Sequence, residues 1–197
     1  MIPKFCFDCY KIQIKPRNVV ELFKLMVLFN QIKLPDDNTR KCYIEIRPQI
    51  AGSYSGLIYY QNLQEAKEAI NGINTAVATQ IAPNIAVQLK RGCSEFPLSY
   101  PDYGIFDDHN NPIMHYNEQW KAKEDYFDQN NLAEDCKFSG HSTHHQNNYT
   151  QKDCRVMVNW VRYAATIGDS TFRDITKSSV ARLPDLDRPN FIAYNQS

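Results

Sequence analysis

The sequence predicts an α+β protein whose first half forms an antiparallel sheet with two helices packed on it. The first observation is that residues 5–93 follow a strand–helix–strand–strand–helix–strand order. The second is that the strands alternate apolar and polar residues, whereas the helices repeat apolar residues every three or four positions. The chain has 197 residues, 43% of them hydrophobic and 22% charged, which is typical of a globular protein and leaves room for a domain with an extension.

The first strand and helix follow each other closely. Residues 9–15 alternate apolar and polar side chains, which predicts a half-buried strand, and Pro16 ends it. Asn18 is expected to cap a helix that runs to about residue 32. Because this helix is apolar nearly all round, we expect it to be deeply buried.

The next three elements repeat the pattern in a different order. Strands are predicted at residues 41–47 and 56–61, separated by a loop. Asn62 is expected to cap the second helix, with Glu65 three positions later as in a capping box, and Pro83 prevents the helix from continuing.

A fourth strand at residues 84–90 completes the unit. Two β-α-β units with right-handed crossovers produce an antiparallel sheet of order 4-1-3-2 with both helices on one face, which is the ferredoxin-like arrangement. We therefore predict a ferredoxin-like βαββαβ domain at residues 1–96. Residues 97–197 are predicted to form a helical and irregular extension packed on that domain.

Two helices are predicted within the extension. The helix at residues 151–167 is the better defined, because Thr150 and Asp153 can cap its start and Gly168 can end it. The other covers residues 116–128, and its apolar stripe consists of Tyr116, Trp120 and Phe127.

The two halves of the chain differ in charge. Residues 1–100 carry 12 Lys and Arg against 8 Asp and Glu, whereas residues 101–197 carry 10 against 14. A basic first half could attract an anionic partner, but a net charge of +4 is well below that of a dedicated nucleic-acid binder. Packing of the two halves against each other is the favoured interpretation.

The compartment is predicted from the start of the chain and the cysteines. Residues 1–6 lack the basic and apolar regions of a secretory signal, and the longest apolar stretch is too short to cross a bilayer. We therefore expect a cytoplasmic protein with no membrane association, whose six cysteines are reduced thiols.

Four cysteines are predicted at one edge of the sheet, namely Cys6, Cys9, Cys42 and Cys93. Thiolates that converge there could bind zinc or an iron–sulfur cluster. Strand order places Cys42 roughly 10 Å from the first strand, and Cys6 and Cys9 would point to opposite faces of a regular strand. Buried thiols are therefore the default expectation, with Cys9 and Cys93 the expected neighbours.

A second group with zinc-binding side chains lies in the extension. It contains Cys136, His141, His144, His145 and Cys154, and the spacing from His141 to His145 is that of a helical site. The surrounding residues are rich in Asn, Gln and Ser and favour a polar loop. No cofactor is therefore the expectation, and zinc or an iron–sulfur cluster is the alternative.

Catalysis is less favoured by the sequence. Residues 107–109, together with His115 and Glu118, could hold a hard cation or transfer protons. Such acidic runs are more often a hydrated loop followed by the first turn of a helix, where acidic residues are favoured. The sequence contains no nucleophile elbow, P-loop or dinucleotide-binding glycine motif.

The sheet face opposite the helices is the main candidate interaction surface. It is predicted to be open and to present Lys11, Tyr43, Arg47, Tyr59 and Lys90. Aromatic and basic side chains interleaved on an open sheet can stack with bases and neutralise phosphates.

Residues 55–70 resemble the corresponding part of an RNA recognition motif, over about a tenth of the 197 residues. Gly56 and Tyr59 match the third-strand motif of that family. Leu57 occupies a position where an aromatic residue is usual, and the first-strand motif is not recognisable in residues 7–12. The resemblance implies single-stranded RNA binding by the sheet, and the chain is not assigned to the family.

The predicted function is binding or assembly without catalysis, on a ferredoxin-like domain. The expected partner is a second copy of the chain or another protein. For the sheet face itself, covering by the extension is the favoured interpretation, ahead of self-association and nucleic-acid binding. Metal binding or redox activity is one alternative function, and single-stranded nucleic-acid binding is another.

Overall fold

A computed structural model describes residues 1–34, 38–48, 50–92, 95–130 and 149–175. Short 3-10 helices lie at Lys4–Phe7, Phe96–Leu98, Pro101–Gly104 and Glu118–Trp120. The strands and α-helices, in chain order, are β1 (Tyr10–Lys15), α1 (Val19–Gln31), β2 (Arg40–Ile44), β3 (Tyr54–Tyr60), α2 (Leu63–Gln80), β4 (Ala86–Arg91), α3 (Lys121–Asn130), α4 (Gln151–Ile167) and α5 (Phe172–Ile175).

The strands form a four-stranded antiparallel sheet of order β2-β3-β1-β4. The centre of the sheet is β1, where Ile12 pairs with Ile58 of β3 on one side and with Leu89 of β4 on the other. The protein is thus a mixed α+β structure, as predicted. Strand β2 ends at Ile44, earlier than predicted, since the ladder stops at the Ile44–Tyr54 pair.

Both predicted asparagine caps are present. The side chain of Asn18 accepts a hydrogen bond from the backbone N–H of Glu21, and that of Asn62 accepts one from the backbone N–H of Glu65. Such bonds satisfy donors that the first turn of a helix leaves unpaired. The Glu65 carboxylate accepts from the side-chain amide of Asn62, so a full capping box does not form.

The main core lies between the sheet and the helices α1 and α2. Alternate β1 residues, Tyr10, Ile12 and Ile14, are buried against apolar side chains of both helices. Helix α1 approaches β3 so closely that a Cβ on Gly56 would overlap Leu25 Cδ2 and lie 3.2 Å from Phe29 Cζ. A residue with a Cβ fits at this crossing only if the Leu25 side chain shifts.

Helix α1 is not buried on every side as predicted, because Val27 is 41% exposed. The helix lies in a layer over one sheet face and therefore keeps an outer surface. Apolar composition alone cannot distinguish such a helix from a fully enclosed one.

Helix α4 extends the helical layer on the β2 side. The predicted capping box of Thr150 and Asp153 starts it, and Gly168 ends it in the left-handed conformation with φ 83°. Its buried residues Trp160 and Ala164 pack with Val19, Leu22 and Tyr54 in a second apolar cluster.

A third, mainly aromatic cluster joins the start of the chain to residues 96–120. Phe7 makes edge contacts with Tyr103 and Tyr116, with ring centroids 5.6 Å apart in each pair. Arg91 is buried beside it and donates to the Phe7 carbonyl oxygen at 3.1 Å from both Nε and Nη2. The guanidinium also lies 4.7 Å from the Phe7 ring centroid, which is within cation–π range.

The extension departs from its predicted form in two places. The predicted helix at 116–128 is a 3-10 turn followed by α3, and Phe127, which was assigned to the apolar stripe, is 54% exposed. Tyr116 and Trp120 do pack into the aromatic cluster. The division at residue 96 stays a prediction, and contacts such as the hydrogen bond from Tyr103 Oη to the Cys6 carbonyl oxygen, 2.8 Å long, cross it.

In the part of the chain that the structure describes, no helix combines the length and the apolar character that crossing a bilayer requires.

Candidate functional site

A pocket of about 480 Å³ opens between helix α2 and the segment that follows α1. Tyr60, the last residue of β3, lies beside it. We call it the Tyr60 pocket. Its lining residues are Ile32, Lys33, Leu34, Asn38, Tyr60, Glu65, Glu68, Ala69, Gly72, Ile73 and Ala76.

Local structure positions the residues that line the Tyr60 pocket. Tyr60 pairs with Tyr10 in the ladder, so its backbone is held by the sheet. The Asn38 side-chain amide nitrogen donates to the Tyr59 carbonyl oxygen at 3.1 Å, which attaches the segment before β2 to the end of β3. The α2 residues of the lining recur every three or four positions, so one face of that helix forms a wall.

Two buried polar atoms of this lining have no hydrogen-bond partner among the described residues. They are the hydroxyl oxygen of Tyr60 and the side-chain oxygen Oδ1 of Asn38. The Tyr60 side chain is only 3% exposed. An unpaired buried polar atom costs about 1–3 kcal/mol, so two of them beside one pocket are unusual in a folded protein.

Burial raises the pKa of Tyr60 to about 12. The positive charge of Arg40 lowers it in part, and the negative charge of Glu65 raises it. The phenol therefore keeps its proton near neutral pH. It is a hydrogen-bond donor and acceptor rather than a base.

Three of the α2 residues that line the pocket are small. Ala69, Gly72 and Ala76 recur along the helix, and a Cβ placed on Gly72 would meet no atom within 4 Å among the described residues. Glycine inside a helix costs about 0.5–1 kcal/mol relative to alanine. Here it leaves open space instead of permitting a close contact.

Charged side chains surround this apolar space. The Glu68 carboxylate accepts a hydrogen bond of 2.7 Å from the Gln64 side-chain amide, and Glu65 accepts from Asn62. Lys33 also lines the pocket and contributes a positive charge. The pocket thus combines an apolar body with a few polar groups, as small-molecule sites do.

The predicted sheet-face residues are only partly brought together. Lys11, Tyr59 and Lys90 form a row across three strands, because Lys11 pairs with both of the others. Lys11 is 5% exposed, so the centre of the predicted open face is buried. Lys11 lies on the central strand β1, between its pairing partners Tyr59 of β3 and Lys90 of β4. Burial also lowers the pKa of Lys90, with a further lowering from Lys15.

Tyr43 and Arg47 lie toward the β2 edge. Tyr43 pairs with Ser55 and is half-buried. Arg47 donates to the Glu45 carboxylate at 2.9 and 2.8 Å and to Glu95 at 3.3 Å. The Glu45 carboxylate is the main cause of a raised Arg47 pKa. Arg47 is thus already engaged by carboxylates, which compete with any phosphate.

The predicted edge cysteines that the structure describes lie in different surroundings. Cys6 lies in a 3-10 turn, not in a strand, and is buried in the aromatic cluster. Cys42 packs against the first and second apolar clusters, and burial raises the pKa of its thiol. Cys9 precedes β1 and is half-buried. Cys93 lies outside the described residues.

The other metal-binding candidates, Cys136, His141, His144 and His145, also lie outside the described residues, and Cys154 is exposed. Within the described ranges, no three His, Cys, Asp or Glu side chains are grouped so that they could hold a metal ion.

The candidate acid–base loop forms a turn. Asp107 Oδ1 accepts from the backbone N–H groups of His109 at 2.9 Å and Asn111 at 2.7 Å. These hydrogen bonds lower the pKa of Asp107, and the bond from the Asn111 backbone is the largest cause. The carboxylate therefore stabilises the loop backbone. His109, His115 and Glu118 are exposed.

Sequence reasoning missed the Tyr60 pocket. Asn38 is distant in sequence from α2, and neither Tyr60 nor Asn38 is a residue that the motifs of the sequence single out. The one local signal is Gly72, a glycine inside an otherwise good helical pattern.

Comparison with protein-family models, with curated proteins and with solved structures finds no match to this chain.

Proposed function

We propose that this chain is a non-catalytic binding protein built on a ferredoxin-like domain, and that its ligand occupies the Tyr60 pocket. The ferredoxin-like assignment is supported by the antiparallel order, which is β4-β1-β3-β2 when followed from β4. It is also supported by the packing of α1 and α2 on the same core. A cytoplasmic location stays a prediction.

The observation that carries the proposal is the buried Tyr60 hydroxyl. It lines the pocket and has no hydrogen-bond partner in the described part of the chain. A ligand that pairs with it, and with Asn38 Oδ1, offsets the cost of burying these two atoms without a partner from the described residues. Water can do so in part, but a ligand also fills the apolar space around these atoms.

Binding is favoured over catalysis because of the chemistry of the lining. Tyr60 holds its proton, since its pKa is raised to about 12. General acid–base catalysis at neutral pH needs a group that titrates near that pH. A hydroxyl held in one protonation state orients a ligand instead.

The test is a screen of small, mainly apolar molecules by ligand-observed NMR. It compares the wild-type protein with the variants Gly72→Leu and Ala78→Leu. Gly72 lines the pocket, whereas Ala78 is an exposed α2 residue outside it, so both variants add the same side chain to one helix. We expect hits that Gly72→Leu abolishes and Ala78→Leu retains. Hits that bind both variants equally would show that they use another surface.

Single-stranded nucleic-acid binding is the second candidate. It is favoured by the Lys41 ammonium, which lies 5.1 Å from the Tyr59 ring centroid and sets a cation beside a stacking surface. This function requires an affinity that falls with salt and is lost in Tyr59→Ala. If the protein binds neither RNA nor DNA at low salt, this function is excluded.

Metal binding and self-association stay predictions. One zinc or iron per chain in elemental analysis of the purified protein is the result that metal binding requires. A mass above 22.9 kDa by light scattering is the result that self-association requires.

A further inference from the structure

We infer that the Tyr60 pocket selects a small uncharged ligand with an apolar body and one group that both donates and accepts hydrogen bonds, such as a carboxamide or a hydroxyl. The inference rests on the proposed function, because it names the ligand class of the same site. It follows from three properties of the lining.

The first property is the pairing that the two polar atoms need. Asn38 uses its amide nitrogen to donate to the Tyr59 carbonyl oxygen, so its unpaired atom is an oxygen that can only accept. The ligand must therefore donate a hydrogen bond. The Tyr60 hydroxyl retains its proton and donates to an acceptor on the ligand. A carboxamide carries both functions on neighbouring atoms, and a hydroxyl carries both on one atom.

The second property is the balance of charge. Arg40 and Glu65 act on the Tyr60 hydroxyl with opposite signs. A cation at this position gains from Glu65 but is repelled by Arg40, and an anion experiences the reverse. The lining carries charges of both signs, from Lys33, Glu65 and Glu68, so neither ion meets only opposite charge there, and both lose hydration against the apolar wall. A neutral group avoids that cost.

The third property is the shape and polarity of the remaining wall. Ile32, Leu34, Ala69, Ile73 and Ala76 surround the polar atoms with apolar surface. A volume of about 480 Å³ accommodates a molecule of one or two rings. An apolar body is thus as necessary as the polar group.

The experiment measures the affinities of five single-ring probes for the full chain at pH 7 by NMR titration. Benzamide and phenol represent the inferred class, toluene is the apolar control, and benzoate and benzylamine are the charged controls. We expect benzamide and phenol to bind about three- to tenfold more tightly than toluene, the effect of one or two net hydrogen bonds. The charged probes should bind more weakly than benzamide and phenol.

The variant Tyr60→Phe removes the hydroxyl and keeps the ring. It should reduce benzamide and phenol affinity to near that of toluene while leaving toluene unchanged. Gly72→Leu should abolish binding of all probes, and Ala78→Leu should affect none.

The outcomes separate the two proposals. If toluene binds in a manner that Gly72→Leu blocks but benzamide and phenol are no tighter, or if a charged probe is tightest, the ligand class is wrong and the pocket is still a binding site. If no probe binds the wild-type protein, or if binding survives Gly72→Leu, the pocket is not the site and both proposals fail.

Discussion

Two tyrosines at opposite ends of β3 are equally buried but differ in their hydrogen bonding. Tyr54 and Tyr60 lie on the same face of the sheet and are 2% and 3% exposed. The Tyr54 hydroxyl donates to Asp169 Oδ2 at 2.6 Å, whereas the Tyr60 hydroxyl lacks a partner in the described ranges. One end of the strand uses its polar group for stability. The other end keeps a polar group available beside an open pocket.

Asp169 explains why the Tyr54 end is satisfied. Its carboxylate also accepts from the Val19 N–H at 2.7 Å and from the backbone and hydroxyl of Thr171 at 3.0 and 2.7 Å. It follows α4 directly and caps the start of α1, so one side chain joins both helices to β3. A site with so many donors for one carboxylate has a structural role.

Two glycines, one packed against α1 and one beside the Tyr60 pocket, show a similar contrast. Gly56 lies at the close approach of α1, whereas Gly72 faces open space beside the Tyr60 pocket. The crossing of α1 and β3 at Gly56 is thus packed to contact, whereas α2 leaves space at Gly72. Binding sites are commonly retained at such a cost in stability.

The largest expected effect is at Asp169. Asp169→Ala should lower the free energy of unfolding by about 3 kcal/mol, because Tyr54 and the Val19 N–H lose their acceptor. Urea denaturation at pH 7 measures this. Asp174→Ala, a change at an exposed carboxylate nearby, should stay within about 0.5 kcal/mol of the wild-type protein. Equal effects of the two changes would show that Asp169 does not have this structural role.

Tyrosine-to-phenylalanine changes at the two ends of β3 should have opposite signs. Tyr54→Phe loses a hydrogen bond to a charged group and should destabilise by about 2 kcal/mol. Tyr60→Phe removes an unpaired buried hydroxyl and should stabilise the ligand-free protein by about 1 kcal/mol. The same urea series measures both. Destabilisation by Tyr60→Phe would mean that its hydroxyl has a partner within the protein.

The glycines should also respond in opposite directions. Gly56→Ala should cost about 1.5 kcal/mol, because the added methyl group overlaps Leu25. Gly72→Ala should stabilise by about 0.5–1 kcal/mol, as expected of alanine in an unobstructed helix position. Thermal unfolding of the two single variants and the double variant measures each effect and their additivity. A loss of stability in Gly72→Ala contradicts the open space that the structure places there.

The smallest expected effect is the part of the pH dependence of stability that comes from Asp169, at the Tyr54 end of β3. Burial raises the pKa of Asp169, but the hydrogen bonds from Tyr54, Thr171 and Val19 outweigh it, so the net shift is downward. A carboxyl whose pKa is lower when folded contributes stability above its unfolded pKa of about 4 and loses it as the pH falls through the folded value.

The measurement is the difference in unfolding free energy between the wild-type protein and Asp169→Asn, from pH 7 to pH 3. We expect the difference to shrink as the pH falls. The subtraction is needed because Glu21 and Glu45 also have lowered pKa values and contribute to the total dependence. A constant difference would show that Asp169 does not titrate in this range.

Much of the secondary structure could be predicted because its signals are local. The caps Asn18, Asn62 and Thr150 each act within three residues, and alternation along β1 shows which of its residues face the helices. Errors arose where distant contacts decide the outcome. Val27 is exposed because the neighbouring layer does not reach it, and Lys11 is buried because its strand is central.

The amino-acid sequence by itself determined the order of the elements in the first half, their caps and the helix that ends at Gly168, since periodicity and capping depend on neighbouring residues. Only the tertiary structure decided which polar groups are paired. Tyr54 meets Asp169 across 115 positions, while Tyr60 meets a pocket formed by the α2 wall and Asn38. The sequence does not distinguish the two tyrosines, because a hydrogen bond between distant segments depends on which residues the fold brings together.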